Sequence, residues 1–210
     1  MRNERKMLLA DIGNTHFHIF NGENVEHLSY EEAIEQYADE NLCYISVKEK
    51  LNNKINRIKK WKNISNEIIL ENAYDTMGVD RKALCLSHKD GVFVDAGSAI
   101  TVDVMKDGVY QGGYIFPGIK VMLESYKTIS PVLDTHINEM ISLEQLPTTT
   151  KDGISYGIIA SIKALIDKHS DGQKLYFTGG DGKLLSTFFK EATYDEMLVF
   201  NGMQKALCAN

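Results

Sequence analysis

Asp11-Ile12-Gly13-Asn14-Thr15 and Asp95-Ala96-Gly97-Ser98-Ala99 carry one local pattern twice, and the repetition sets the architecture. Leu8-Leu9-Ala10 precedes the first copy and Phe17-His18-Ile19-Phe20 follows it. Val92-Phe93-Val94 precedes the second and Ile100-Thr101-Val102-Asp103-Val104 follows it. Short runs rich in Val, Ile and Phe read as strands, and Asn21-Gly22 and Asp107-Gly108 close each pair with a turn. Each copy is therefore a strand, a turn bearing Asp with Gly two residues on, and a second strand. Gly permits a tight turn and a close approach of backbone N–H groups to an anion. Asp repels a phosphate but can hold a cation that binds one. Two such turns facing each other would clamp a nucleoside triphosphate. A single Asp-x-Gly after a strand is most simply a hairpin turn; the repeat with matched flanks points to function.

The paired pattern resembles that of the actin-like, sugar-kinase and Hsp70 ATPase superfamily, whose two similar lobes hold ATP between them. The resemblance implies an α/β fold of two ribonuclease H-like lobes, each a mixed sheet flanked by helices, divided here into residues 1–85 and 86–210. A chain of 210 residues supplies two lobes of about 100 residues, within the usual domain range. Its 43% hydrophobic and 25% charged composition is that of a soluble globular protein. No apolar run approaches the ~20 residues that cross a bilayer, and no secretory leader pattern opens the chain. Cys43, Cys85 and Cys208 are isolated and lack metal-site spacing, which favours a reducing, cytoplasmic setting over a disulfide scaffold. A net charge of −6 argues against nucleic acid as a partner. One segment dissents: Lys48 to Lys62 holds seven Lys or Arg against the single Glu49. Leu51, Ile55, Ile58 and Trp61 fall at helical spacing there, predicting an amphipathic helix with a basic outer face. Such a face is most simply solvated; steering of anionic ligands and contact with a membrane surface are the alternatives.

Periodicity predicts strands at 7–12, 16–20, 24–29, 42–47 and 67–71 in the first half, with a short acidic helix at 30–37. Residues 72–90 read as a connection. The second half repeats the opening with strands at 91–95, 99–105 and 109–116, then a helix at 118–127 and a long connection at 131–149. A helix over 151–168 carries Ile154, Ile158, Ile159, Ile162, Leu165 and Ile166 as one stripe, broad enough to suggest contact with a second subunit. A strand at 174–178, a helix at 182–190, a strand at 197–200 and a terminal helix complete the chain.

With these residues in hand, the chain resembles the type III pantothenate kinases, along nearly its whole length and in family order. Asp11-Ile12-Gly13-Asn14-Thr15 matches the first phosphate motif, and Gly78-Val79-Asp80-Arg81 matches the pantothenate motif Gly-x-Asp-Arg. Asp95 to Asp103 resembles the second phosphate motif, and Gly112-Gly113-Tyr114-Ile115-Phe116-Pro117-Gly118 a Gly-Gly-x-Ile-x-Pro-Gly run. Thr150, seven residues before Gly157, and Thr178-Gly179-Gly180 complete the set. Ser98 replaces the usual Thr and keeps its hydroxyl. His16 stands where many relatives carry Arg, and the usual Pro before the pantothenate motif is absent.

The resemblance implies ATP-dependent phosphorylation of pantothenate, the first step of coenzyme A synthesis. Asp80 becomes the general base that accepts the hydroxyl proton. On spacing alone, Asp80 is equally well the N-cap of a helix beginning at Arg81. Arg81 would offer its planar fork to the pantothenate carboxylate or the transferring phosphoryl group, against the alternative of a surface Arg. Gly78, Val79 and Tyr74 join them on the substrate side, with Tyr74 closer to Gly78 than in many members. Asp11 would hold Mg²⁺ through water, since Mg²⁺ sheds its hydration shell reluctantly. ATP contacts fall on Asp11, Ile12, Gly13, Asn14, Thr15, His16, Phe17 and His18, and on Ser98, Gly179 and Gly180. Asp95 resembles the ligand of a monovalent cation, K⁺ or NH₄⁺. Thr150 resembles a residue that completes the pantothenate pocket of a neighbouring subunit, which implies a homodimer with shared active sites. Two other readings stand beside this one. Another small actin-like ATPase, such as an iron–sulfur activator, would need a cysteine cluster that the three Cys do not suggest. A non-catalytic accessory factor of the same fold would not need Asp80 and Arg81.

Overall fold

The computed structural model describes residues 7–13, 17–47 and 55–208, with the backbone alone at Asn56. The chain divides into two compact units, one of Met1–Lys89, Gly108–Tyr110 and Glu196–Asn210, the other of Asp90–Asp107 and Gln111–Asp195. Glu196–Asn210 thus folds with the first unit, whereas the division at 85/86 assigns it to the second lobe.

In the first unit, β1 (Leu8–Ile12), β2 (Phe17–Phe20) and β3 (Val25–Leu28) form an antiparallel meander. β4 (Leu42–Ser46) and β5 (Trp61–Asn63) extend it as parallel strands on the other side of β1, giving the order β3-β2-β1-β4-β5. Side chains alternate between faces along a strand. Ala10, Ile12, Phe17 and Ile19 are accordingly buried together with Ala33 of α1 (Tyr30–Tyr37). The opposite face bears Leu9, Asp11 and Ile45 and receives α6 (Leu198–Cys208), whose Phe200 packs 6.0 Å from Phe20 between ring centres. α2 (Val79–Leu86) lies along α6 so closely that a Cβ at Gly202 would come within 1.7 Å of the Ala83 carbonyl oxygen.

The second unit repeats the plan. β6 (Gly91–Ala96), β7 (Ala99–Lys106) and β8 (Val109–Pro117) stand where β1 to β3 stand, and β9 (Leu175–Thr178) and β10 (Thr193–Tyr194) where β4 and β5 stand, in the order β10-β9-β6-β7-β8. β6 runs antiparallel to β7 and parallel to β9, and β9 runs parallel to β10. Val92, Val94, Ala96, Ile100 and Val102 are buried with Ile154, Ile158, Ile159, Ile162 and Ile166 of α4 (Thr150–Ser170). Within the expected stripe, Leu165 alone is exposed. The breadth of that stripe is consumed by the helix's own sheet and is no sign of a second subunit. α3 (Ile119–Ile129) and the short α5 (Gly182–Ser186) complete the unit.

Several local expectations are corrected. Within 48–62, residues 48–54 lie outside the described residues; Ile55–Arg57 is a single 3₁₀ turn and Trp61–Asn63 is β5. Trp61 is drawn into the sheet by pairing with Leu42 and by its indole N–H, which donates to the Tyr37 carbonyl at 2.9 Å. Long-range pairing thereby overrides a helical period. With that edge occupied, 67–71 forms no strand, and Ser65–Glu67 is a 3₁₀ turn. The connection at 72–90 contains α2, and the strand expected at 197–200 is the start of α6. No described helix is long and apolar enough to cross a membrane.

Candidate active site

The two aspartates occupy equivalent places. Asp11 is the next-to-last residue of β1, opposite His18 on β2 and Ile45 on β4. Asp95 is the next-to-last residue of β6, opposite Thr101 on β7 and Thr178 on β9. Both are partly buried, and each lies on the sheet face away from the core that holds Ile12 or Ala96.

In the first unit, Ile12 and Phe17 turn their side chains into the core, leaving only their main chain for a ligand. The Gly13 carbonyl accepts the Tyr30 hydroxyl at 2.8 Å, which fixes where the turn begins. Asn14, Thr15 and His16 lie outside the described residues. His18 pairs with His27 at 2.6 Å between Nδ1 atoms, so one ring must donate and the other accept.

The pantothenate motif opens α2. Gly78 is the N-cap and Asp80 sits in the first turn, so Asp80 is not the cap. Its Oδ1 accepts the Arg81 backbone N–H at 2.7 Å. A carboxylate there is favoured by the helix dipole. A Cβ at Gly78 would come within 2.4 Å of that same Oδ1, so only glycine leaves the carboxylate its position. Arg81 is buried, not a surface residue. Its Nη1 donates to the Tyr74 hydroxyl at 2.7 Å, and the guanidinium carbon lies 5.9 Å from the Tyr74 ring centre. Tyr74 is 45% exposed, so this pair joins a buried cation to an accessible phenol. Asp80, Arg81 and Tyr74 therefore form one polar assembly at a helix N-terminus.

In the second unit three glycine-bearing segments meet at the turn 95–99. The Gly97 N–H donates to the Ala99 carbonyl at 2.9 Å and the Gly118 N–H to the Ser98 carbonyl at 3.1 Å. A Cβ at Gly118 would lie 2.4 Å from the Gly97 oxygen. Gly179 adopts φ +84°, and a Cβ there would lie 2.5 Å from Asp95 Oδ1 and 2.6 Å from the Ala96 oxygen. The Asp181 N–H donates to that Ala96 oxygen at 2.9 Å, so Gly179-Gly180 is stitched directly beside Asp95. Burial, reinforced by the nearby charge of Glu139, pushes the Asp181 carboxyl up. Ser98 is exposed. Next to Asp95, Thr178 is buried, and Thr101 Oγ1 is enclosed without a hydrogen-bond partner among the described residues. Thr101 was visible in the sequence only through the strand register, which sets it opposite Asp95.

Thr150 is the exposed first residue of α4. Thr149 caps the helix by accepting from the Asp152 N–H at 3.1 Å, and Asn138 Nδ2 donates to Asp152 Oδ1 at 2.7 Å. The Asn138 and Thr149 hydrogen bonds hold the Asp152 carboxyl below its ordinary range. Those bonds fasten the long 131–149 connection to the helix start that carries Thr150.

A family model described as Type III pantothenate kinase matches residues 44–171. The Type III pantothenate kinase of Helicobacter hepaticus is 43% identical over 202 residues, covering 96% of this chain and 98% of the relative. A solved structure from Campylobacter jejuni, described as a conserved Baf family transcriptional activator, is similar at TM-score 0.88 and 37% identity, covering 97% of this chain and 98% of that one. A structure described as a 2-dehydro-3-deoxygalactonokinase from Sinorhizobium meliloti shares the fold at TM-score 0.57 and 13% identity, covering 97% of this chain and 96% of that one. The two mixed five-stranded sheets have the actin-like ATPase fold. Matched by that model over more than half its length, and by a relative of 43% identity along nearly all of it, this chain belongs to the type III pantothenate kinase family.

Proposed function

We propose that this chain transfers the γ-phosphoryl group of ATP to the primary hydroxyl of pantothenate, the first step of coenzyme A biosynthesis. The observation that carries this reading is the assembly of Asp80, Arg81 and Tyr74 at the start of α2. A kinase of this kind must align an alcohol, accept its proton and neutralise a carboxylate. Asp80 is the proton acceptor. The hydrogen bond from the Arg81 N–H to one carboxylate oxygen orients the group. Arg81, with Tyr74 bonded to it, binds the pantothenate carboxylate, and burial makes that charge-assisted contact stronger than it would be in water. Gly78 and Val79 contribute main chain beside them.

The residues that contact ATP on this reading are Asp11, Ile12, Gly13, Asn14, Thr15, His16, Phe17 and His18, and Ser98 through its hydroxyl. Gly179 and Gly180 serve the adenosine side. The donor set suits hard cations: Asp11 presents a carboxylate for a hydrated Mg²⁺, and Asp95 lies between the Thr101 and Thr178 hydroxyls, all oxygen donors, as K⁺ or NH₄⁺ requires. Mg²⁺ bound with ATP neutralises charge on the phosphates. The protein works in the cytoplasm as a homodimer in which Thr150 reaches the partner's pantothenate. Ile115, Val121, Ile129, Val132 and Met140, exposed on the second unit, supply an apolar surface for that contact. Light scattering tests the dimer.

The description of the Campylobacter jejuni structure as a transcriptional activator favours a second reading, a regulator of the same fold. One experiment separates the two. A coupled assay should show ADP release that depends on pantothenate, and a thermal-shift assay should show pantothenate raising the melting temperature. The absence of both responses in a folded protein overturns the kinase reading.

A further inference from the structure

The loop ahead of the pantothenate motif is tied down at one point. Asn72 adopts φ 64°, a left-handed conformation that Asn tolerates better than most side chains. From there its Nδ2 donates to the Tyr110 carbonyl at 2.8 Å, while the Tyr110 N–H donates to the Glu71 carbonyl at 3.2 Å. Both main-chain groups of Tyr110 thus clasp the Glu71-Asn72 turn. Two residues later the Tyr74 ring packs against the Tyr110 ring, with centres 6.3 Å apart. The Tyr74 hydroxyl accepts from Arg81, and Met77 closes the loop by donating its N–H to the Tyr74 carbonyl at 3.0 Å. Tyr74 is exposed, so its placement depends on this clasp more than on packing.

We propose that Asn72 is a positioning residue for pantothenate recognition: through its amide bond to Tyr110 it holds Tyr74, and through Tyr74 the Arg81 guanidinium, in the geometry that receives the substrate carboxylate. Asn72 itself touches no substrate. The proposal rests on the kinase reading above and deepens it. An alignment fault in a group that binds substrate and transition state alike raises KM and spares kcat. The clasp acts on the acceptor substrate alone, so the effect is confined to pantothenate.

The experiment is steady-state kinetics of the full-length enzyme carrying Asn72→Asp or Asn72→Gly, beside Arg81→Ala. Asn72→Asp keeps the shape and tolerates the left-handed backbone but sets an acceptor against the Tyr110 carbonyl. Asn72→Gly keeps the backbone and removes only the donor. Both should raise KM for pantothenate by roughly three- to ten-fold, with kcat and KM for ATP within about two-fold. If Asn72→Asp does not fold, Asn72→Gly carries the same expectation. An unchanged KM for pantothenate in a folded variant overturns the proposal, as does an equal rise in KM for both substrates. Arg81→Ala separates the two levels. If it raises KM for pantothenate while the Asn72 variants do not, the positioning role alone fails. If the wild-type protein shows no pantothenate-dependent turnover, the kinase reading fails and this proposal with it.

Discussion

The first and second sheets share strand order and strand direction, yet the described residues that end β1 and β6 are held by different contacts. At Ile12 and Gly13 the described support includes side-chain hydroxyls: Tyr30 donates to the Gly13 carbonyl, and Ser46 Oγ donates to the Ile12 carbonyl at 3.5 Å. In the second unit it is backbone lying on backbone, made possible by Gly118 and Gly179. A turn packed against main chain in this way admits no extra atom. The units differ again beyond the turns. The first carries the Asp80 assembly on α2, and the second carries the 21-residue α4 with Thr150 at its head.

The largest test of this division concerns two aspartates at helix starts. Asp80→Asn should lower kcat by roughly 10²-fold or more with pantothenate binding retained, because only the proton acceptor is lost. Asp181→Asn at the head of α5 should leave kcat within about two-fold, since burial already disfavours its charge. Comparable losses in both would break the assignment of chemistry to the first unit.

Next in size is the contrast between the paired aspartates of β1 and β6. Replacing potassium salts with tetramethylammonium salts at constant Mg²⁺ should remove most activity, by about ten-fold. Asp95→Asn should abolish the potassium response, while Asp11→Asn should raise the Mg²⁺ requirement and leave the potassium response in place. Full activity in tetramethylammonium would sink the role given to Asp95.

The strand-turn-strand repeat was legible because it is local. Alternating apolar residues and Asp-x-Gly turns act over a few residues, and both meanders formed where those signals stood. The Gly78-Val79-Asp80-Arg81 motif was likewise legible, but its neighbours were not. That Arg81 is buried and bonded to Tyr74 follows from the path of 71–77, which periodicity does not encode. Asn72 depends on Tyr110, far along the chain, and β5 on an edge supplied by β4. Elements whose partners are distant carry weak local signals, and there Trp61 and Leu198 were misread.

A third contrast sets one added methyl group against one deleted hydroxyl at corresponding positions. Ser46 pairs with Ile12 at the end of β4, and Gly179 follows Thr178 at the end of β9. Gly179→Ala forces a Cβ onto Asp95 Oδ1 and the Ala96 oxygen from a positive-φ backbone, and should cost about 1–3 kcal/mol. Ser46→Ala loses one long hydrogen bond and should cost about 0.5 kcal/mol or less. Chemical denaturation reads both. A tolerated Gly179→Ala would mean that the packing of main chain around Asp95 yields to an added atom.

The smallest effect separates two tyrosines, one in each unit. Burial pushes Tyr37 up to about 12, helped by the hydrogen bond that its hydroxyl donates to Glu26 Oε2 at 2.9 Å. Burial alone pushes Tyr114 up to about 12, and its hydroxyl has no hydrogen-bond partner among the described residues. In both, the folded state holds its proton to higher pH than the unfolded chain, whose tyrosines titrate near 10. The stability linked to each is therefore present below pH 10 and is lost as pH rises from about 10 to about 12. At neutral pH the two should part. Tyr37→Phe takes one of two side-chain donors from the Glu26 carboxylate, leaving that of Asn21, and should cost about 0.5–1.5 kcal/mol, whereas Tyr114→Phe removes a polar atom that gains nothing from burial and should be neutral or slightly stabilising. Melting temperatures of the two variants at pH 7 decide it. A clear loss in Tyr114→Phe would show that this hydroxyl is engaged in solution, and would make it the counterpart of Tyr37 instead of its contrast.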